Sequence, residues 1–78
     1  MSPWQPCKRR LFMKKLRSLG FKGPYSGKRH HFLVYDYHRL SIPSNSEFSI
    51  PQLKMMIKEV EIIIERPISA EEWNDLTG

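Results

Sequence analysis

The stretch RHHFLVYDYHRLSIP, residues 29–43, decides the fold that the sequence predicts. Residues 29–37 are rich in aromatic and β-branched side chains, which favour an extended strand. Residues 39–43 alternate apolar and polar side chains, which is the pattern of a strand that buries only one face. A turn around residues 36–38 would join the two strands into an antiparallel hairpin.

Helical patterns flank this hairpin. From about Lys8, apolar residues recur at helical spacing and predict a first helix that ends at Gly20. Residues 21–26 include a proline, which disfavours helix, so we expect an extended segment there. After a polar loop, Ser49 is a candidate N-cap for a second amphipathic helix that reaches about Ile63.

The C-terminal quarter of the sequence is less clear. The three isoleucines at residues 62–64 could continue the second helix or form a short extended segment, and their periodicity does not separate the two. Ser69 is expected to begin a last short helix, with Glu72 at the reciprocal position of a capping box and Trp73 as an apolar anchor.

Together these elements predict an α+β fold. A helix, three strands and a second helix would form one three-stranded antiparallel sheet with both helices on one face, followed by a short helical tail. The 78 residues suffice for a single small domain. We expect a flexible lead-in at residues 1–7, the domain at residues 8–64, and a C-terminal tail with the short helix at residues 65–78.

Charge is divided unequally along the chain. Residues 1–35 contain nine Lys and Arg and no carboxylate, whereas residues 36–78 contain all eight carboxylates and four basic residues. A cationic segment of this kind predicts binding to a polyanion such as RNA, although a solvated surface is the alternative. The candidate RNA contacts are Lys8, Arg9, Lys14, Lys15, Arg17, Lys22, Lys28, Arg29 and the adjacent His31.

Two neighbouring histidines, His30 and His31, lie at the end of this cationic segment. On a strand they would point to opposite faces of the sheet. Imidazole is the side chain whose ordinary pKa best suits proton transfer near neutrality, so one of these two histidines is a candidate catalytic group. Lys28 and Arg29 would then stabilise the phosphate. A surface or structural histidine is the simpler alternative.

Metal coordination and base stacking are two further possibilities. The possible metal donors Cys7, His30, His31 and His38 have spacings that match no zinc module, so we expect no metal and no cofactor. Tyrosines 25, 35 and 37 could stack on bases, but packing within the sheet would also account for them.

Composition limits the cellular context. The single cysteine excludes an intramolecular disulfide. No apolar run approaches the roughly 20 residues that cross a bilayer, and no signal core follows the N-terminal charges. We therefore expect a soluble cytoplasmic protein that makes no contact with membranes. The sequence leaves the oligomeric state open.

Several stretches taken together resemble the HicA-like, or YcfA-like, toxins. They are LFMKKLRSLGF at residues 11–21, GPYSGKRH at 23–30, RLSIP at 39–43 and LKMMIK at 53–58. The resemblance implies a double-stranded-RNA-binding-like fold, cleavage of mRNA, and neutralisation by a HicB-type antitoxin protein. It also implies that His30, which follows the glycine-containing loop, is the essential histidine.

Three functions follow as hypotheses. The first is an RNA-cleaving toxin, an endoribonuclease that needs no metal because the 2′-hydroxyl of RNA is the nucleophile and His30 moves the proton. The second is a non-catalytic RNA-binding module with the same fold. The third is a protein-interaction domain that uses residues 62–64 and the acidic tail.

Overall fold

Eight elements follow one another in residues 3–76, the part of the chain that the computed structural model describes. They are β1 (Cys7–Lys8), α1 (Arg9–Ser18), β2 (Lys22–Ser26), β3 (His31–Tyr35), β4 (His38–Ile42), β5 (Glu47–Phe48), α2 (Ile50–Ile64) and α3 (Ala70–Asp75). Strands β2, β3 and β4 form one antiparallel sheet in that order, and β1 pairs with β5. The α+β class and the three-stranded antiparallel sheet predicted from the sequence are confirmed.

The hairpin of β3 and β4 has a regular register. Leu33 lies opposite Leu40, and the pairing extends without a shift from His31 at one end to Tyr35 at the other. Asp36 begins the turn with a φ of 52°, a left-handed conformation that aspartate tolerates better than most residues. Strand β2 pairs with the other edge of β3, with an irregularity in the middle of β2.

One face of the sheet holds the core. The side chains of Leu33, Leu40 and Ile42 are fully buried there. The buried residues of the two long helices belong to the same apolar cluster: Phe12 and Leu16 from α1, and Leu53, Ile57 and Val60 from α2. Each such side chain contributes about 1.5–3 kcal/mol of transfer free energy. Both long helices therefore cover one face, and no helix within residues 3–76 covers the opposite face of the sheet.

The helix ends show why these segments fold as the sequence predicts. Gly20 has a φ of +113°, and the N–H of the next residue, Phe21, donates to the carbonyl of Leu16, which closes the end of α1. At the start of α2, the Ser49 hydroxyl accepts a hydrogen bond from the N–H of Gln52. The isoleucines at 62–64 continue this helix, which settles the ambiguity in favour of helix.

The last helix is part of the core and not an appended tail. Trp73 is 2% exposed, and its ring centroid lies 5.4 Å from that of Phe12. The Ser69 hydroxyl caps α3 by accepting from the N–H of Glu72, as expected. The Glu72 carboxylate does not complete the capping box because it forms a salt bridge of 2.7 Å with Arg66. The sequence does not show this docking because it brings together helices from opposite ends of the chain.

The N-terminal boundary also differs from the expectation. Cys7 is 5% exposed and pairs with Phe48, so the folded unit includes residue 7, where the lead-in was expected to end. A two-residue strand has too little pattern to be recognised before its partner is known. Within residues 3–76, no helix is both long enough and apolar enough to span a bilayer.

Candidate functional site around the loop 27–30

A four-residue loop, residues 27–30, joins β2 to β3 at one end of the sheet. The N–H of Gly27 donates to the carbonyl of His30 at 3.0 Å, which closes the loop. A Cβ atom added to Gly27 would lie 2.5 Å from that carbonyl oxygen, so only glycine fits there. The closed loop leaves Lys28, Arg29 and His30 exposed to solvent.

Two concavities meet at this loop. The first, of about 220 Å³, is lined by Arg9, Ser26, Gly27, Arg29, His30, His31, Ile42 and Ser44. The second, of about 280 Å³, is lined by Gly27, Lys28, Arg29, His30, Phe32, Arg39 and Ser41. The first lies toward the covered face of the sheet, because Ile42 belongs to the core, and the second lies toward the open face. His30 borders both concavities, so a ligand bound in either one lies beside this residue.

His31 is held by an arginine from the start of α1. The Nη2 atom of Arg9 lies 3.0 Å from Nδ1 of His31, and the Arg9 Nε donates to the carbonyl of Pro43 at 2.9 Å. A guanidinium can only donate, so Nδ1 of His31 accepts and the ring proton must be on Nε2. In this arrangement His31 presents an N–H donor and has no free basic nitrogen.

His30 differs from its neighbour in this respect. Its ring makes no hydrogen bond with any residue in the described range 3–76, and both ring nitrogens are therefore available to a ligand. The two histidines thus have separate chemical capacities. His30 can accept a proton, whereas His31 and Arg9 together can donate hydrogen bonds to an anion.

The expected cationic contacts separate into two groups. Arg9, Lys28 and Arg29 surround His30. Of the other expected contacts, Lys8, Lys14, Arg17 and Lys22 are exposed but lie outside both concavities. Along α1, Lys14 and Arg17 follow Arg9 by about 7.5 and 12 Å of helical rise. Lys22 is at the end of β2 remote from the loop.

Lys15 was expected among the RNA contacts, but its side chain is directed into the fold. It is 7% exposed, and its Nζ donates to the backbone carbonyl of Trp73 at 2.7 Å. The same ammonium lies 5.3 Å from the centroid of the Trp73 ring. Because its charge is satisfied by α3, Lys15 has no place on an RNA-binding surface.

Two further residues at the site, Arg39 and Phe32, were not predicted. The guanidinium carbon of Arg39 lies 4.3 Å from the centroid of the Phe32 ring, and both side chains line the second concavity. The signal was present in the alternation of β4, because Arg39 and Ser41 fall on the face opposite Leu40. Recognising it requires the register of the hairpin, which pairs residues across the turn.

The remaining candidate groups are dispersed. His38 lies at the end of β4 that is remote from the loop. Cys7 is buried in β1, and this burial raises the pKa of its thiol, with Lys15 partly opposing the shift. Among residues 3–76, no three His, Cys, Asp or Glu side chains come together as a possible metal site. Tyr35 packs against Phe21 at 5.1 Å, which fits the packing alternative for this tyrosine.

Compared with known proteins, the chain matches no protein-family model, no curated protein and no solved structure at a significant level. The site offers one free imidazole, one imidazole fixed as a donor, and cations on both sides. This set can bind a phosphodiester and take a proton from a hydroxyl beside it.

Proposed function

We propose that the protein is an endoribonuclease that cleaves RNA without a metal ion, with His30 as its catalytic residue. One observation carries the proposal: an exposed imidazole without a hydrogen bond stands where two concavities meet, between the cations Arg9, Lys28 and Arg29. The setting distinguishes His30 from His38, which is equally exposed but borders neither concavity.

The reaction needs little from the protein. His30 takes the proton of a ribose 2′-hydroxyl, and the resulting oxyanion attacks the adjacent phosphorus. A new P–O2′ bond forms, the P–O5′ bond breaks, and the products are a 2′,3′-cyclic phosphate and a 5′-hydroxyl. The attacking O2′ and the leaving O5′ lie on opposite sides of the phosphorus, so His30, beside O2′, is remote from O5′. Water at this exposed site can supply the proton to the leaving O5′. A general base of this kind contributes about 10²–10⁴-fold to the rate.

The surrounding donors would stabilise the phosphorane. The Nε2–H of His31 and the guanidinium of Arg9 form a fixed pair, because Arg9 is also tied to the carbonyl of Pro43. Preorganised donors lower the barrier without reorganising during the reaction. Lys28 and Arg29 add positive charge from the loop itself. Within residues 3–76, no carboxylate side chain lines either of the two concavities.

The biological setting belongs to the same proposal. A HicA-like mRNA interferase with a double-stranded-RNA-binding-like fold, acting in the cytoplasm, would need a HicB-type antitoxin to restrain it. The sheet with two helices on one face is compatible with that fold. An acidic partner covering the cationic half of the chain would be electrostatically favourable.

Cleavage of labelled RNA in EDTA tests the proposal. The wild-type protein should cleave, and His30→Ala should lower the rate by about 10²–10⁴-fold. His38→Ala is the matched control, since His38 is also exposed but remote from the loop, and it should retain the wild-type rate. A substrate with 2′-deoxy riboses should resist cleavage. Equal rates for wild type and His30→Ala would refute the assigned role.

A non-catalytic RNA-binding module is the second candidate. The exposed Tyr25 and the stacked pair of Arg39 and Phe32 favour it, because such groups bind nucleic acid without chemistry. Under this alternative, wild type and His30→Ala would bind RNA with the same affinity and neither would cleave it. Under the leading proposal, His30→Ala retains binding and loses cleavage.

A further inference from the structure

The open face of the sheet carries an aromatic and cationic surface. Tyr25 and Phe32 lie opposite each other on β2 and β3, and Lys22 lies opposite Val34 on the same two strands. Strand β4 adds Arg39 and Ser41 to this face by register. We call Lys22, Tyr25, Phe32, Arg39 and Ser41 the open-face surface. In residues 3–76 both long helices pack on the other side of the sheet.

One aromatic side chain of this surface, Tyr25, is exposed, and the other, Phe32, is half-buried. The rings of Tyr25 and Phe32 are 5.7 Å apart and tilted by 38°, so they do not form a closed stack. Tyr25 is 47% exposed. Arg39 lies close enough over Phe32 to place its guanidinium carbon 4.3 Å from the ring centroid. Aromatic faces and guanidinium planes are both platforms on which nucleobases stack.

The charges of the surface select the ligand. Lys22 and Arg39 form no salt bridge with any residue in the described range. The second concavity continues the surface toward the loop and adds Lys28 and Arg29. Cations without a salt bridge, beside an exposed ring, complement a chain that alternates phosphates with bases. The bases of a double helix could not stack on these rings, because they are already paired and stacked with one another. Proteins recognise a double helix mainly by its shape and backbone.

We propose that the open-face surface binds single-stranded RNA and leads it to His30. Bases flanking the cleaved linkage stack on Tyr25 and on the Arg39 guanidinium, while their phosphates contact Lys22 and the loop cations. The continuity of the surface with the concavity that His30 borders carries this inference. The binding of RNA to this surface does not depend on the proposed ribonuclease function, because binding is measured separately. Only the delivery of RNA to His30 for cleavage rests on that function.

The binding test uses the full chain and a strand that cannot be cleaved. Filter binding uses an end-labelled 2′-fluoro RNA, which lacks the 2′-hydroxyl needed for cleavage. Its length of about 12 nucleotides is within the site size of known single-strand binders. Tyr25→Ala should weaken binding by about 5- to 150-fold, the effect of losing one base–aromatic stack. Tyr25→Phe keeps the ring and should lose much less affinity than Tyr25→Ala. Tyr37→Ala removes a fully exposed tyrosine at the distant turn and should also leave affinity unchanged.

Salt dependence and duplex competition complete the test. Arg39→Gln removes the guanidinium platform and should weaken binding. Lys22→Gln should reduce the slope of log K against log salt by about 0.7, the value for one phosphate contact on a single strand. The unlabelled single strand should displace the probe far better than the same sequence annealed to its complement. Circular dichroism of each variant establishes that it is folded before its affinity is compared.

The outcomes separate this inference from the ribonuclease proposal. Wild-type affinity in both Tyr25→Ala and Arg39→Gln, or equal competition by the duplex, overturns the open-face surface even if RNA is cleaved. Binding that follows these expectations without any cleavage by wild type leaves the surface supported and the ribonuclease refuted. A second copy of the chain is the competing occupant. If wild type sediments as a dimer and Tyr25→Ala as a monomer, the surface is a protein interface and the inference fails.

Discussion

Replacing either of two adjacent lysines on α1, Lys14 or Lys15, by methionine should change a different property of the protein. Lys15→Met removes the ammonium that donates to the carbonyl of Trp73 and keeps most of the apolar stem. A hydrogen bond to a charged group contributes about 1.5–3 kcal/mol, so the free energy of unfolding should fall by that amount. For a domain of this size the midpoint of thermal unfolding should fall by about 6 to 24 °C. Calorimetry or circular dichroism measures it.

Lys14→Met is the matched control because Lys14 is exposed and makes no hydrogen bond within residues 3–76. Its stability should stay within about 0.5 kcal/mol of wild type. If Lys14 contacts RNA, the slope of log K against log salt should fall by about 0.7, whereas Lys15→Met should leave the slope unchanged at a temperature where it is folded. An unchanged midpoint in Lys15→Met would refute the buried role of this lysine.

Three further substitutions test other parts of the structure. Gly27→Ala should lower RNA cleavage by about 10²-fold, because the new Cβ displaces the loop that positions His30; wild-type turnover in a cleavage assay would contradict this role of the loop. Trp73→Ala should cost about 3–5 kcal/mol and leave little folded protein by circular dichroism; a cooperative transition near that of wild type would argue against the docking of α3. Arg66 lowers the pKa of Glu72 below its ordinary value of 4.5 mainly through their hydrogen bond. This pair therefore stabilises the fold above that ordinary value, and its contribution is lost as pH falls through the lowered pKa. Arg66→Ala should raise the Glu72 pKa in an NMR titration, and an unchanged value would exclude the pairing in solution.

Local signals in the sequence predicted most of the secondary structure. The hairpin followed from the alternation around Leu33 and Leu40, because a period of two is characteristic of a strand with one buried face. The end of α1 and the start of α2 followed from Gly20 and Ser49, whose roles depend only on neighbouring residues. Interactions between distant residues could not be recognised in this way. The burial of Lys15 depends on a carbonyl 58 residues away in sequence.

The candidate site was predictable to a similar extent. His30 and the loop cations are contiguous, so the sequence brings them together without any knowledge of the fold. The link between Arg9 and His31 spans 22 residues and requires the position of α1 beside the sheet. Arg39 was missed because its place beside Phe32 depends on the hairpin register. Residues adjacent in sequence were therefore recognised, and those assembled by folding were not.

The position of Trp73 also provides a spectroscopic reporter. The chain has two tryptophans, and Trp73 is the one enclosed between α1 and the rest of the core. With Trp4 replaced by phenylalanine, emission would come from a single indole beside an ammonium. A red shift of that emission would signal release of α3 from the core. Comparison with the loss of helical ellipticity would then show whether the C-terminal helix detaches before the sheet unfolds or together with it.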